Sequence, residues 1–139
     1  MRYLLDTSTL IDLMAEEAAV AARLRAVRGP DVAHLSIISW GELQRGLHAL
    51  DSGSRKAQHV KELNVLLDNV SPGPSILLVD LDVADAWGRI THLLRRAGKP
   101  IPSNDAWIAA TALAHGLTLV SSDAHFARVP GLELESWRA

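Results

Sequence analysis

The sequence predicts an α/β fold in which helices cover both faces of a central, mainly parallel sheet. Short apolar runs that are typical of buried strands alternate with segments of helical periodicity along nearly the whole chain of 139 residues. The stretch Met1–Leu13 shows the pattern most clearly, because an apolar run stops at Asp6 and Leu10 and Leu13 follow at helical spacing. Alternation of this kind favours parallel strands joined by crossover helices.

The first half of the chain continues with helices around a second strand. Glu16–Arg28 is amphipathic, and the Gly-Pro pair after it is expected to end that helix. Asp31–Ile38 is mostly apolar and predicts a strand. Ser39 and Glu42 fit a capping box, a Ser followed three residues later by a Glu, and so predict the start of the next helix, which runs through the Leu at position 50. Arg55–Asn69 carries apolar residues spaced for one helix face.

The second half repeats the alternation. A Pro- and Gly-rich loop at Ser71–Pro74 precedes a predicted strand at Ile76–Leu81, and Asp82 is expected to cap the helix Val83–Arg96. The remaining predicted elements are a loop at Gly98–Pro102, a helix at Ala106–His115 closed by Gly116, and strands at Leu117–Val120 and Leu132–Leu134. No repeat or linker interrupts this order, so we expect residues 1–139 to form a single domain.

Composition excludes several classes of function. The chain has no cysteine, which excludes disulfides and cysteine zinc sites and suits a reducing compartment. The formal charge of −2 excludes a strongly basic surface for duplex DNA. Neither a signal peptide nor a run long enough to span a membrane is apparent, so a cytoplasmic location is expected.

Four acids are predicted to meet at one edge of the sheet. Asp6 and Asp123 follow predicted strands, while Glu42 and Asp105 lie at helix starts. In a parallel sheet the carboxyl ends of strands and the amino ends of the helices that follow them share an edge, where ligands bind. Four carboxylates that lie close together with no positive charge among them would take up protons. Mg²⁺ or Mn²⁺ is the usual compensation for an all-oxygen site.

Each acid also has a purely structural alternative. Asp6 could bind backbone amides of the strand–helix turn, and Glu42 could only complete the capping box with Ser39. Asp105 could simply favour a helix amino end, and Asp123 could form an Asx-turn. The convergence of all four favours a metal site over four separate structural roles.

The other aspartates, the histidines and the known catalytic motifs suggest no competing site. Asp80, Asp82 and Asp85 are assigned to capping or solvent, with Asp80 the hardest of them to set aside. None of the six histidines forms a pair with metal-binding spacing. The chain also lacks the GxSxG elbow of serine hydrolases and the glycine-rich loops that hold nucleotide phosphates.

Four segments resemble PIN-domain ribonucleases, and most closely the VapC-type toxins of bacterial and archaeal toxin–antitoxin pairs. They are LLDTSTLIDL, ELQRGL, GKPIPSNDAWIAATALAHGLTLVSSDAHF and VPGLELESW. The four acidic positions of the family fall on the four acids already identified. A family hydroxyl, most often Thr, falls on Ser121, which keeps the oxygen.

The resemblance implies a three-layer α/β/α fold and Mg²⁺- or Mn²⁺-dependent cleavage of single-stranded RNA. It also implies a homodimer and inhibition by a small antitoxin protein. In this interpretation Asp6, Asp105 and Asp123 bind metal, and Glu42 either binds metal or orients the attacking water. Residues expected to hydrogen-bond these carboxylates are Thr7, Ser8, Asn104 and Ser121.

Recognition of RNA and antitoxin would need further surfaces. Arg45 and Lys99 are the candidates for guiding RNA toward an acidic pocket. Trp40 and Trp107 could stack on bases, although packing in the core is the alternative. The helices predicted at Glu16–Arg28 and Arg55–Asn69 could form an antitoxin groove, and for most of their apolar residues a core role is the alternative.

Two other functions stay open at this point. Asp6 could be the nucleophile of a phosphatase or phosphotransfer domain, but Ser8 stands where haloacid-dehalogenase-type enzymes carry a second Asp. A catalytically silent binding module is the alternative outside the enzymes.

Overall fold

A computed structural model describes residues 1–28, 30–51, 53–70 and 76–138, without the side chains of 67, 69 and 70. The predicted loop at Ser71–Pro74 and the Gly of the Gly-Pro pair lie outside the described residues. The strands are β1 (Arg2–Leu5), β2 (Val32–Ser36), β3 (Ile76–Leu77), β4 (Thr118–Val120) and β5 (Leu134–Glu135). The helices are α1 (Thr7–Met14), α2 (Ala18–Arg25), α3 (Ile37–His48), α4 (Ser54–Val70), α5 (Leu81–Arg96), α6 (Ser103–His115) and a 3₁₀ turn at Ala124–Arg128. None of the helices in these ranges combines the length and apolarity that crossing a bilayer requires.

The sheet has the order β3-β2-β1-β4-β5, and each neighbouring pair is parallel. This confirms the predicted parallel α/β architecture. The chain builds outward from β1 through β2 to β3 and then crosses to β4 on the other side of β1. The reversal of strand order therefore lies between β1 and β4, which is where open α/β sheets bind ligands.

The three layers follow from the alternation of side chains along the strands. In β1, Leu4 packs into a core cluster with Ile90 of α5 and Ile108 of α6. Leu5, the next residue, belongs to a second cluster, with Leu10 of α1. That second cluster also holds buried residues of α2, α3 and α4, namely Val20, Leu43, Leu47, Leu63 and Leu66. The sheet is thus covered by α5 and α6 on one face and by α1–α4 on the other.

The start of α3 differs from the prediction. Ser36, not Ser39, is the N-cap, since its side-chain oxygen accepts a hydrogen bond from the backbone N–H of Ser39 at 3.0 Å. Ile37 and Ile38, which the apolar run assigned to the strand, form the first turn of the helix. A continuous apolar run cannot distinguish a buried strand from a buried helix start. The capping box of Ser39 with Glu42 was therefore wrong, which leaves Glu42 free of a capping role.

Other boundaries shift for similar local reasons. Asp80, not Asp82, caps α5 by accepting a hydrogen bond from the N–H of Val83 at 3.0 Å, so the strand predicted at Ile76–Leu81 is shorter. The acid that was hardest to set aside thus has a structural role. Further shifts are α2 at Ala18–Arg25, α6 from Ser103 and β5 at Leu134–Glu135.

The buried face of α6 should dominate the stability of the layer that carries Asp105. Ile108 is fully buried, so Ile108→Ala is expected to lower the free energy of unfolding by about 2–5 kcal/mol through lost burial and a residual cavity. Val65→Ala, at an exposed position of α4, is the matched control and should change it by no more than about 0.5 kcal/mol. Urea denaturation measures both, and equal effects would contradict this packing.

Candidate metal centre

Asp6 stands at the carboxyl end of β1, beside the end of β4. Leu5 lies opposite Val120 in the parallel register, and the N–H of Asp6 donates to the carbonyl of Val120 at 3.1 Å. Asp6 and Ser121 therefore leave their strands side by side. Only 4% of Asp6 is exposed, so the residue is buried where the strand order reverses, between the ends of β1 and β4.

Hydroxyl and amide donors hold the Asp6 carboxylate. Oδ1 accepts from the backbone N–H of Thr9 at 2.9 Å, which makes Asp6 the N-cap of α1. The Ser8 hydroxyl is shared between Oδ1 and Oδ2 at 2.9 and 3.0 Å. Ser121 donates to Oδ2 at 2.5 Å. Asp6 thus caps α1, as its structural alternative predicted. The hydroxyls of Ser8 and Ser121 also hold its carboxylate.

Ser121 connects Asp6 to Asp123. Its hydroxyl donates to Asp6 and accepts from the backbone N–H of Asp123 at 3.0 Å. Because Ser121 is buried, this link is protected from competing water. The chain after β4 is thereby held at a fixed place relative to β1.

Glu42 reaches the same region from the second turn of α3. Its Oε1 lies 2.8 Å from the Thr7 hydroxyl, which is also 3.0 Å from the hydroxyl of Ser39. A hydroxyl has one proton to donate, so Thr7 donates to one of these partners at a time. Since Thr7 begins α1 directly after Asp6, this contact joins the Glu42 side chain to the Asp6 turn.

Asp105 lies in the first turn of α6 and is half-buried. Burial raises the pKa of its carboxyl above the ordinary value of 3.8, and the negative charges of Glu42 and Asp123 add to that rise, while His125 opposes it. Asp105 and Asp123 lie close together, since Nε2 and Nδ1 of His125 are 2.7 and 2.9 Å from their carboxylates. The charge of Glu42 also acts on Asp105, and hydrogen bonds link Asp6 to Asp123 through Ser121 and the Asp6 turn to Glu42.

A histidine that the sequence did not single out lies between two of these acids. Nε2 of His125 is 2.7 Å from Oδ2 of Asp105, and Nδ1 is 2.9 Å from Oδ1 of Asp123. Its partners are carboxylates, so no pair of histidines in the sequence indicates it. The signal available was its place two residues after Asp123, where a 3₁₀ turn capped by that acid begins.

The donor set suits a divalent cation. Asp105, Asp123 and His125 offer three ligand atoms that all lie within 4.8 Å of one another. Across residues 1–28, 30–51, 53–70 and 76–138, no Lys or Arg forms an ion pair with any of the four acids. Carboxylates that pair with neither Lys nor Arg at such a site fit oxygen-binding ions such as Mg²⁺ and Mn²⁺.

Among the described residues, the remaining candidates form no hydrogen bond or ion pair with the four acids. Asn104 is exposed, and its side chain makes no hydrogen bond within the described part of the chain. Arg45 and Lys99 are exposed, as guidance of RNA would require.

Trp107 stacks on Trp87 with ring centroids 4.6 Å apart, which favours the packing alternative for Trp107. Trp40 packs against the core cluster on the α1–α4 side, which also favours packing.

An apolar groove of about 810 Å³ runs beside the acidic edge. It is formed by α1, α3 and α4, and both Thr7 and Glu42 line it. Both α2 and α4 were predicted to form an antitoxin groove. Residues of α4 line it, whereas no residue of α2 does, and Val20 of α2 packs into the core.

Known proteins match this chain in sequence and in structure. Residues 3–132 match the family profile described as PIN domain. Ribonuclease VapC4 of Mycobacterium tuberculosis is 34% identical over 100 residues, which cover 72% of this chain and 73% of that protein.

Two solved structures are similar over nearly the whole chain. VapBC2 from Rickettsia felis, in a crystal structure with a DNA fragment from their promoter, has a TM-score of 0.88 at 26% identity and covers 99% of this chain and 100% of that chain. VapBC-5 from Mycobacterium tuberculosis, a member of the VapBC family of toxin–antitoxin systems, has a TM-score of 0.72 at 27% identity and covers 99% and 98% of the two chains.

The Ser121 hydroxyl should contribute measurably to folding. Ser121→Ala removes a hydrogen bond to a buried carboxylate and is expected to cost about 1–3 kcal/mol of unfolding free energy. Ser122→Ala removes an exposed hydroxyl and is the control, with an expected change within about 0.5 kcal/mol. Chemical denaturation compares the two, and a Ser121→Ala protein as stable as the control would contradict this link.

The raised pKa of Asp105 predicts how stability depends on pH without metal. Between 3.8 and the raised folded pKa, the folded state binds more protons at Asp105 than the unfolded state, so Asp105 makes stability fall as pH rises. Asp105→Asn lacks this titration. Its stability relative to the parent protein should therefore increase with pH across that window, as measured by urea denaturation in EDTA. A difference that stays constant or decreases would contradict the assignment.

Proposed function

The chain belongs to the PIN domain family, and we propose that it is a metal-dependent endoribonuclease that acts as the toxin of a toxin–antitoxin pair. The observation that carries the proposal is the cluster of Asp105, Asp123 and His125, to which Ser121 links Asp6, with no Lys or Arg ion pair to any of the four acids in the described residues. The name of the similar ribonuclease VapC4 supports RNA as the substrate. The match over residues 3–132 supports a single nuclease domain spanning 1–139.

Mg²⁺ is the proposed cofactor, with Mn²⁺ as the alternative. Asp6, Asp105 and Asp123 would hold it, and Glu42 would either join them or face the attacking water. When bound, a divalent ion lowers the pKa of water and neutralises charge on the phosphate.

The side chains of this protein would prepare the site for hydrolysis. Ser8 and Ser121 hold the Asp6 carboxylate in one orientation, and Thr7 holds that of Glu42. Glu42 would orient a water toward phosphorus in line with the leaving oxygen. The bond from phosphorus to the 3′ oxygen breaks, and the products carry a 5′-phosphate and a 3′-hydroxyl.

RNA would have to approach an acidic edge on a protein of net charge −2. Arg45 lies one turn after Glu42 on α3, and Lys99 follows α5 on the way to Asp105. Both are exposed and could contact the phosphates that flank the cleaved bond. We propose them as the local basic contacts and expect each to affect RNA binding more than the chemical step.

The proposed partner is a small antitoxin protein. The groove of α1, α3 and α4 is mostly apolar and is lined by Thr7 and Glu42, so a segment seated in it would cover Glu42 of the acidic edge. The similar structures of VapBC pairs support such a partner. The proposal also includes a homodimer and a cytoplasmic location.

The phosphotransfer alternative is less well supported by the contacts of Asp6. A nucleophilic carboxylate needs an oxygen that can reach phosphorus, whereas Asp6 is almost fully buried. Both of its oxygens already accept hydrogen bonds. A carboxylate has about four lone-pair sites, so the three donors to Asp6 leave one for a metal ion, whereas attack on phosphorus needs an exposed oxygen.

Asp6→Asn tests the proposed function. The change keeps the shape and removes a charge, so cleavage of single-stranded RNA in Mg²⁺ should fall by at least about 100-fold while the circular dichroism spectrum is kept. Asp82→Asn, at an exposed position in the first turn of α5, is the control and should leave cleavage unchanged. A fully active Asp6→Asn protein, or parent protein that cleaves equally well in EDTA, would refute the proposal.

A further inference from the structure

We propose that His125 is itself a metal ligand through Nε2, and that this nitrogen makes the site prefer Mn²⁺ over Mg²⁺. The inference rests on the proposed function, because it concerns the ion that the acidic edge would bind. It changes the site from an all-oxygen set, as the sequence predicts, to a mixed set of oxygen and nitrogen.

The first support is the contact between Nε2 of His125 and Oδ2 of Asp105. The atoms are 2.7 Å apart, and this buried nitrogen has no other partner in the described residues. Without metal, a proton on Nε2 can bridge it to Oδ2 of Asp105, and a divalent ion bound by both atoms would replace that proton. Adjacent ligands of one octahedral ion, about 2.1 Å from the metal, are about 3 Å apart, which is close to the separation seen here.

The second support is the environment of the other ring nitrogen. Nδ1 lies 2.9 Å from Oδ1 of Asp123. Histidines that bind metal through one nitrogen usually donate the other N–H to a carboxylate, which sets the tautomer and the ring orientation. Asp123 can do this with Oδ1 and still offer Oδ2 to the ion.

The third support is the rigidity of the segment that carries the ring. Asp123 caps the 3₁₀ turn at Ala124–Arg128, and the backbone N–H of His125 approaches Oδ1 of Asp123 at 3.3 Å. Phe126, the next residue, is almost fully buried in the core beside α6, and its ring is 5.0 Å from that of His125. Both neighbours thus hold the imidazole at the acidic edge.

Ion preference follows from ligand chemistry. Mg²⁺ is bound almost entirely through oxygen and gives up its water reluctantly. Imidazole nitrogen is a better ligand for first-row transition ions than for Mg²⁺. One imidazole among carboxylates should therefore raise the affinity for Mn²⁺ and do little for Mg²⁺.

Electron paramagnetic resonance of the full chain with Mn²⁺ alone tests the inference. We expect electron spin-echo modulation from a directly bound ¹⁴N in the parent protein and its loss in His125→Gln. The dissociation constant for Mn²⁺ should rise about tenfold or more in that variant, and that for Mg²⁺, measured by competition, by less than about threefold. His92→Gln, at an exposed position of α5, is the matched control and should keep the ¹⁴N signal.

The outcomes separate this inference from the proposed function. Bound Mn²⁺ without ¹⁴N modulation in the parent protein would overturn the role of His125, while metal-dependent RNA cleavage could still stand. A ¹⁴N signal that survives in His125→Gln would overturn it as well. Absence of binding of either ion would overturn both. The parent spectrum does not depend on how well a variant folds, and His125→Asn provides a second variant if His125→Gln is unstable.

Discussion

Repulsion among carboxylates is the constraint on which the rest of this structure depends. Asp105 has a raised pKa because it is half-buried near the charges of Glu42 and Asp123, and only His125 opposes that effect. Hydrogen bonds hold the group together, since Ser121 links Asp6 to Asp123 and Thr7 links the start of α1 to Glu42. The absence of Lys or Arg partners for this group in the described residues supports the proposal that it binds an external cation.

The fold makes this meeting possible by one reversal of strand order, between β1 and β4. The strands β1 and β4 are far apart in sequence and adjacent in the sheet, so their carboxyl ends place Asp6 beside Ser121. The helix α3 then brings Glu42, and α6 brings Asp105, to the same edge. Burial of both sheet faces fixes the register, because a shift of one residue would exchange the two core clusters.

The fold class could be predicted because it rests on the periodicity of the sequence. The four acids were chosen from the general position of ligands in parallel sheets, and their role in binding metal stays a prediction. Cap residues could not be assigned reliably, since Ser36 and Ser39 both suit the start of α3 and only the backbone conformation selects Ser36. His125 was missed because its role depends on its distance from Asp105, which lies on another element. No local sequence pattern reports that distance.

The most direct measurement is a crystal structure of the protein soaked in Mn²⁺, with anomalous scattering recorded to locate the ion. If charge compensation explains the acidic edge, an anomalous peak should lie within ligand distance of Asp6, Asp105 and Asp123. A well-ordered structure in saturating Mn²⁺ with no peak there, and with the four carboxylates still together, would contradict it. The acidic edge would then be a structural feature and not a metal centre.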